Sequence, residues 1–398
     1  MKNKVDINEI NTREAGPDLI IENGYDCYDE VWEIPTKANT QYYTHGIYRF
    51  IGKFPPQIPR EIFKRYTKPG MTILDPMCGS GTSLVEGIIA GCNVIGMDIN
   101  PVSLLVSNVV TTAYDLDKLK QLVFELNEKI VNWNFSESSM KISEKDIKKF
   151  DLGDSSKYFS DDAKRKCIVL LEWMKDLEED YHSFFLVALL AILRKISYAN
   201  VKKINVTIDE DKKVQDVFTA YSKQLDAMMQ AEEESKSIWV GNSVEINTCD
   251  ARELNIPDES VDVVIIHPPY LSNTAFSEST QLQLAFLGVN RKNIWNKELK
   301  ARGSYSSVPD GLRKYLVGWH NILKEAYRVL KPGGVCAIEN GDGQVDFVRI
   351  PIGAITKEFA KDIGFNIEKH IIHKINNNTG LTLSHKMKSH DIVIMKKE

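Results

Sequence analysis

The chain has 398 residues, 43% of them apolar and 26% charged, and carries a formal net charge of −5. That composition belongs to a globular protein and excludes a collagen-like, low-complexity or disordered chain. The six cysteines, at 27, 78, 92, 167, 249 and 336, show neither CxxC nor Cys/His ligand spacing, and no secretory leader is expected, so they read as reduced thiols of a cytoplasmic protein without a metal site.

Residues 1–40 form a polar lead with aromatics at Tyr25, Tyr28 and Trp32 and no assignable pattern. Residues 41–112 carry the first chemistry. ILDPMCGSGT, from Ile73 to Thr82, is an apolar strand that ends in Asp75, passes a turn with Gly79 and Gly81 and opens into the helix-like SLVEGIIAG. Glycines there let the backbone approach a ligand, and a helix starting at Thr82 leaves free N–H groups facing it. A second strand, NVIGMDINP, ends in Asp98, 17 residues after Gly81. That is close to the offset of about 20 at which Rossmann-type sites place an acid on a ribose hydroxyl pair. The ligand is then a nucleoside. No Gly-Lys-Ser/Thr follows the turn and the six-residue GxGxxG is absent, so a phosphate-bearing ligand fits less well than a nucleoside without phosphate.

Residues 113–240 read as helical. LDKLKQLVFELNEKIVNW, DDAKRKCIVLLEWMKDLEEDYHSFFLVALLAILRKIS and VQDVFTAYSKQLDAMMQAEEE place apolar residues at three- and four-residue intervals, which predicts a helical insertion beside an α/β domain. Its longest apolar run, Phe184 to Leu193, has ten residues, half of the roughly 20 that span a bilayer, and reads as a buried helix.

Residues 241–398 return to alternating strands and helices. SVEINTCDARELN puts Asp250 at a strand end, where it can meet an adenine amino group or cap a following helix. VDVVII then predicts a central strand buried on both faces. It must stop at His267, because Pro268 and Pro269 cannot donate to a ladder while their carbonyls stay free to accept. A helix, YLVGWHNILKEAYRVL, ends at Pro-Gly-Gly and leads to the strand VCAIEN, the helix PIGAITKEFAKDIG and two closing strands. His370 and His373 lie three apart on the first of these and read as surface residues. From 280 to 398 there are 19 Lys and Arg against 11 Asp and Glu, whereas 113–240 has 20 against 24. Arg291, Lys292, Lys297, Lys300, Arg302, Arg313 and Lys314 cluster with Trp295, Tyr305 and Tyr315, a mix that suits phosphate contacts and packing on extruded nucleotides, or an ordinary solvated surface.

DPMCGSGT with HPPY resembles the signature of the DNA amino-methyltransferases, whose DPxxGSGT loop is paired with Asp, Asn or Ser before PPY. The segments Thr44–Phe63, SFFLVALLAILRKISYAN, STQLQLAFLG and RVLKPGG are similar to parts of that family, two of them to a branch that carries SPPY. The resemblance implies an α/β fold, a Rossmann-like class I methyltransferase sheet with helices on both faces and a helical insertion. It divides the chain into a lead (1–40), a cofactor-binding half (41–112), an insertion that can help choose the target (113–240) and a catalytic half (241–398). It implies S-adenosylmethionine as cofactor, held by Lys53, Phe54, Asp75, Pro76, Gly79, Gly81, Thr82, Asp98, Ile99, Asn100, Asp250 and Ala251. The catalytic quartet is His267, Pro268, Pro269 and Tyr270. The Pro268 carbonyl and the His267 side chain would accept from the target amine and Tyr270 would stack on the base, while His267 at an unperturbed pKa of about 6.5 could draw off a proton. The expected partners are double-stranded DNA, with the target flipped out of the duplex, and a cognate restriction endonuclease; no metal or membrane is expected. N4 of cytosine is favoured over N6 of adenine. His267 departs from the family's Asp, Asn or Ser. An RNA guanine-N2 methyltransferase, a protein glutamine methylase and an inactive DNA-binding scaffold are the alternatives.

Overall fold

The computed structural model describes residues 9–15, 28–135, 142–239, 241–271, 275–299, 310–345, 348–375 and 389–398. Its centre is one nine-stranded mixed sheet. In chain order the elements are β1 (Asn11–Glu14), β2 (Glu30–Glu33), α1 (Gln57–Tyr66), β3 (Thr72–Asp75), α2 (Thr82–Ile89), β4 (Asn93–Asp98) and α3 (Pro101–Thr111). Helices α4 (Leu116–Phe135), α5 (Glu144–Lys149), α6 (Asp161–Met174), α7 (Glu179–Ile192) and α8 (Val217–Ser235) follow. The chain re-enters the sheet with β5 (Val244–Thr248) and β6 (Val261–Ile266), then forms α9 (Phe276–Ser279), α10 (Gln281–Phe286), α11 (Arg291–Lys297) and α12 (Gly311–Val329). It closes with β7 (Leu330–Asn340), a small hairpin of β8 (Gly343–Val345) and β9 (Val348–Ile350), α13 (Ile352–Ile363), β10 (Phe365–Lys374) and β11 (Ser389–Lys397).

The sheet order is β1-β2-β10-β11-β7-β6-β3-β4-β5. From β5 to β7 neighbouring strands are parallel, and β11 runs antiparallel between β7 and β10. Counting β3 as the first strand of the repeating unit gives third, second, first, fourth, fifth, seventh, sixth. That is the Rossmann-like methyltransferase sheet, closed by the antiparallel hairpin that the terminal pattern predicts. Strand order reverses between β3 and β6, and at such a switch point a crevice opens beyond the carboxyl ends of the strands.

Local sequence explains this centre. In β6, VDVVII, every residue except Asp262 is buried, as two covered faces require. Helix α2 seats close to the sheet through two glycines: a Cβ on Gly87 would lie 2.6 Å from Val94 Cγ1, and one on Gly96 would lie 2.5 Å from Leu84 Cδ1. Apolar side chains fill both faces of the sheet, with Leu74, Val264 and Trp319 on one side and Ile73, Val263 and Phe63 on the other. Among the described residues, 113–240 contains helices and a single isolated bridge but no strand. Phe184, Leu189 and Leu190 of α7 are fully buried there, and among the described residues no helix is long and apolar enough to cross a membrane.

The polar lead supplies β1 and β2, which its irregular pattern does not announce. β2 pairs parallel to β10, with Val31 opposite Ile372 and Trp32 opposite His373. His370 and His373 are not surface residues: both are buried, His370 against Asp391 (2.9 Å) and His373 against Glu339 (2.6 Å). They do face opposite sides, but each side is covered, and each imidazole has a buried carboxylate partner that sequence spacing does not reveal.

Candidate active site

The turn after β3 is held by short-range bonds. Gly81 N–H donates to the Cys78 carbonyl (2.8 Å), Cys78 N–H to the Met97 carbonyl (2.9 Å) and Gly79 N–H to the Asp98 carboxylate (3.1 Å). Gly81 caps α2 in the left-handed region at φ 77°, a conformation that costs other residues roughly 1–2 kcal/mol. Its missing Cβ also matters, because one would lie 2.9 Å from Val110 Cγ2. Helix α2 begins at Thr82, so its free N–H groups open toward the crevice.

Two carboxylates stand at adjacent strand ends. Asp75 accepts from Met77 N–H (3.0 Å) and the Ser83 hydroxyl, and burial pushes its pKa up to about 7 against those bonds. Asp98 accepts from Asn100 N–H (2.8 Å) and Gly79 N–H, and burial raises it to about 6. A carboxylate offers about four acceptor positions, so Asp75, with two donors, retains capacity toward the crevice, whereas Asp98 is also bonded by the Ser103 side chain and Ile99 N–H. Thr82 Oγ1 is buried there without a partner among the described residues. At the end of β5, Asp250 pairs with Arg252 (Nε at 2.8 Å) and accepts Arg252 N–H (3.0 Å) in a turn rather than capping a helix.

These residues enclose a cavity of about 880 Å³, its open mouth included. Of the residues expected from sequence, Lys53, Phe54, Asp75, Pro76, Gly79, Thr82, Asp98, Ile99, Asn100, Asp250, Ala251, His267 and Pro269 line it, whereas Gly81, Pro268 and Tyr270 do not. Phe50, Met77 and Phe276 line it as well; the first two lie in segments marked from sequence, whereas Phe276 carried no motif. The lining acids are Asp75, Asp98, Asp250 and Glu298 against Lys53, Arg252 and Lys297. This balance disfavours a phosphate and suits a cationic, sulfonium-bearing nucleoside, so the donor set fits S-adenosylmethionine. Lys53 is held by the His45 carbonyl, and burial lowers its pKa to about 8.

The segment that carries Lys53 and Phe54 is anchored by Glu86, a fully buried acid in α2. Glu86 accepts from the Tyr42 hydroxyl, His45 Nε2 (2.8 Å) and Arg60 Nε (3.0 Å). Burial works against its ionisation, but those three groups outweigh it and hold the carboxyl below its ordinary range.

Beyond β6, His267 stacks on Phe54 with ring centroids 4.7 Å apart and planes at 13°. Its Nε2 lies 2.8 Å from the Tyr270 hydroxyl, which lies 3.0 Å from His390 Nδ1. His390 Nδ1 is 3.1 Å and His373 Nδ1 2.6 Å from Glu339 Oε1. The two histidines hold Glu339 well below the usual carboxylate range despite full burial. Burial lowers His267 to about 4, which corrects the unperturbed 6.5 assumed from sequence: the ring is neutral at pH 7 and a poor proton sink. Glu339, His373 and His390 lie within 4.8 Å of one another and are metal-ligating residue types. Their 2.6 and 3.1 Å separations are hydrogen-bond lengths, shorter than the roughly 3.3 Å between ligands drawn tetrahedrally to zinc at about 2.0 Å.

The Pro269 carbonyl accepts from the Tyr315 hydroxyl (3.1 Å), while no described donor binds the Pro268 carbonyl. Tyr315 is fully buried, so it packs under the turn and is not available to an extruded nucleotide. Lys300, Arg302 and Tyr305 lie outside the described residues.

Residues 2–107 match the DNA methylase family and residues 65–164 the RMKL-like methyltransferase domain. The chain is 31% identical over 159 residues to the type II methyltransferase M.MjaII of Methanocaldococcus jannaschii, covering 39% of this chain and 28% of that protein. It is 32% identical over 170 residues to M.MvaI of Kocuria varians, covering 40% and 36%. Over 430 aligned positions it is 23% identical to M.BsoBI of Geobacillus stearothermophilus, covering 83% and 80%. The matches thus span about a third of the first two relatives and four fifths of the third. By this match on a methyltransferase sheet, the chain is related to the DNA amino-methyltransferases.

Proposed function

We propose that the protein transfers a methyl group from S-adenosylmethionine to an exocyclic amine of a base flipped out of DNA, N4 of cytosine before N6 of adenine. One observation carries this reading: a single cavity joins the carboxylate and glycine cradle of β3 and β4 to the His-Pro-Pro turn after β6. The cofactor supplies a methyl group already activated by a sulfonium, so the protein need only position the acceptor. Asp98 and Asp75 offer acceptors to ribose and amino groups, and Phe54 closes one wall. Pro268 itself does not line the cavity but sits between the lining residues His267 and Pro269; its carbonyl lacks a described donor and accepts from the target amine as positive charge develops there. The N4 preference rests on the SPPY branch that Ser183–Asn200 and Ser279–Gly288 resemble.

A second groove supports DNA as the substrate. It shares Phe50 and Gly52 with the cavity, and its lining includes Arg49, Arg194, Lys195, Lys202 and Lys203 without any Asp or Glu. Arg194 donates only to carbonyls, those of Asn200, Lys203, Ile204 and Ser279, so its charge is not neutralised. Phosphates running through this groove would deliver a flipped base to the cavity mouth. The type II names of the relatives add a cognate endonuclease as a second partner.

Nucleoside mass spectrometry tests the reading. Unmethylated genomic DNA and total RNA are each incubated with protein and S-adenosylmethionine, with reactions lacking the cofactor as controls. N4-methylcytosine or N6-methyladenine in DNA alone is expected. Product in RNA alone, or in neither, would defeat it.

A further inference from the structure

The chain from Glu339 to His267 fixes where the protons lie. A carboxylate only accepts, so the Nδ1 atoms of His373 and His390, at 2.6 and 3.1 Å from Glu339 Oε1, both carry hydrogen. The Tyr270 oxygen therefore faces an N–H at His390, 3.0 Å away, and its own proton turns to its other neighbour, His267 Nε2, at 2.8 Å. That nitrogen must be bare. The neutral imidazole then carries its hydrogen on Nδ1, the ring nitrogen without a partner among the described residues, and His267 lines the cavity.

From this juxtaposition we infer that His267 presents a hydrogen-bond donor to the target base, and that Glu339, through His390 and Tyr270, is the positioning residue that sets this tautomer. Asp, Asn or Ser at that place offers an oxygen that can accept from the amine. A donor cannot, and it instead suits the ring nitrogen beside the amine, N3 of cytosine or N1 of adenine. The amine is left to the Pro268 carbonyl. Phe54, stacked at 4.7 Å, fixes the plane of the ring, and the Nε2 contact to the Tyr270 hydroxyl fixes which nitrogen is turned from it. The substrate half of this inference rests on the proposed methylation of a flipped base; the tautomer does not.

The two halves are tested separately. In protein labelled with [15N]histidine, the His267 signals are assigned by their loss in His267→Asn and read in long-range 1H–15N spectra. A hydrogen on Nδ1 and a bare Nε2 are expected at pH 7.5. In Tyr270→Phe, which removes only the hydroxyl and spares the Glu339 core, both tautomers should appear. A hydrogen on Nε2 in the wild type, or an unchanged tautomer in Tyr270→Phe, would overturn the relay. For the substrate half, duplexes carry 3-deazacytosine or 1-deazaadenine at the methylated position. Loss of one hydrogen bond should lower kcat/KM on the order of tenfold, and by much less in Tyr270→Phe. Equal rates on natural and deaza bases would overturn the ring-nitrogen contact while leaving methylation itself standing, and absence of methylation on any DNA would instead defeat the functional reading.

Discussion

Replacing Glu86 by Gln isolates the anchor of the segment that roofs the cavity. The side chain is fully buried and receives Tyr42, His45 at 2.8 Å and Arg60 at 3.0 Å. Bonds to an ionised group contribute roughly 1 kcal/mol more than neutral ones, which sums to about 3 kcal/mol for three. The Arg60 side chain is 34% exposed, and water screens its share, so about 2–3 kcal/mol is the expected loss. In Gln the amide nitrogen must also face a guanidinium, donor against donor. Phe50, Gly52, Lys53 and Phe54 line the cavity on this segment, so cofactor affinity should fall together with stability. Urea unfolding followed by circular dichroism gives the first quantity, and calorimetric titration with S-adenosylhomocysteine gives the second. Glu86 titrates below its ordinary 4.5 in the folded state, so its contribution is complete above that value and fades as pH falls through the folded pKa. The gap between wild type and variant should therefore narrow in acid. A loss under 1 kcal/mol at pH 7.5 with unchanged affinity would refute the anchoring role.

Three further outcomes are expected. Gly81→Ala should cost about 2–4 kcal/mol, combining left-handed strain with overpacking against Val110, whereas Gly79→Ala, whose Cβ would meet only Phe50 at 3.5 Å, should cost about 1 kcal/mol; equal losses in denaturant would contradict the steric account. Asp75 holds its proton up to about 7 in the folded state against 3.8 ordinarily, so its contribution to stability declines as pH rises across that window. Asp75→Asn removes the decline and should gain on wild type by up to about 4 kcal/mol between pH 4 and pH 8, and parallel stability curves would argue against it. If Lys202 and Lys203 each meet a phosphate, changing both to Gln should make the slope of log affinity against log salt shallower by about 1.8; an unchanged slope in filter binding would remove the groove from the DNA path.

Short-range chemistry was legible and long-range pairing was not. The glycine turn, the helix start at Thr82 and the stop of β6 before Pro268 follow from residues adjacent in sequence, and so does the buried run of α7. The closing hairpin was visible as two strand patterns after the last helix. By contrast, nothing in the sequence marks Glu86, in a helix buried from Thr82 to Ile88, as the acid that residues 42–60 fold over. His370 and His373 read as surface polar residues because Asp391 and Glu339 reach them from other strands. The cationic groove joins residues 46–52 to 191–204 and 279–283, and the few charges of the first two segments mean little one at a time, whereas the more conspicuous run from Arg291 to Tyr315 ends in a buried tyrosine.

The pairing of β2 with β10 has a consequence for synthesis. Glu30 meets Lys369 across 339 residues, so β2 leaves the ribosome long before the strand it pairs with. At about 5–20 residues per second the delay is roughly 20–70 s. Through that time the β2 edge that faces β10 stays open, and Val31, fully buried in the finished protein, lacks the Ile372 side chain that packs on it. Closing so long a loop is slow, although the entropy it adds over a loop half its length is only about 0.6 kcal/mol. The hazard is therefore one of timing: β2 can pair with β1 early but offers its other edge until β10 is made, and a chaperone or a second nascent chain can reach that edge first.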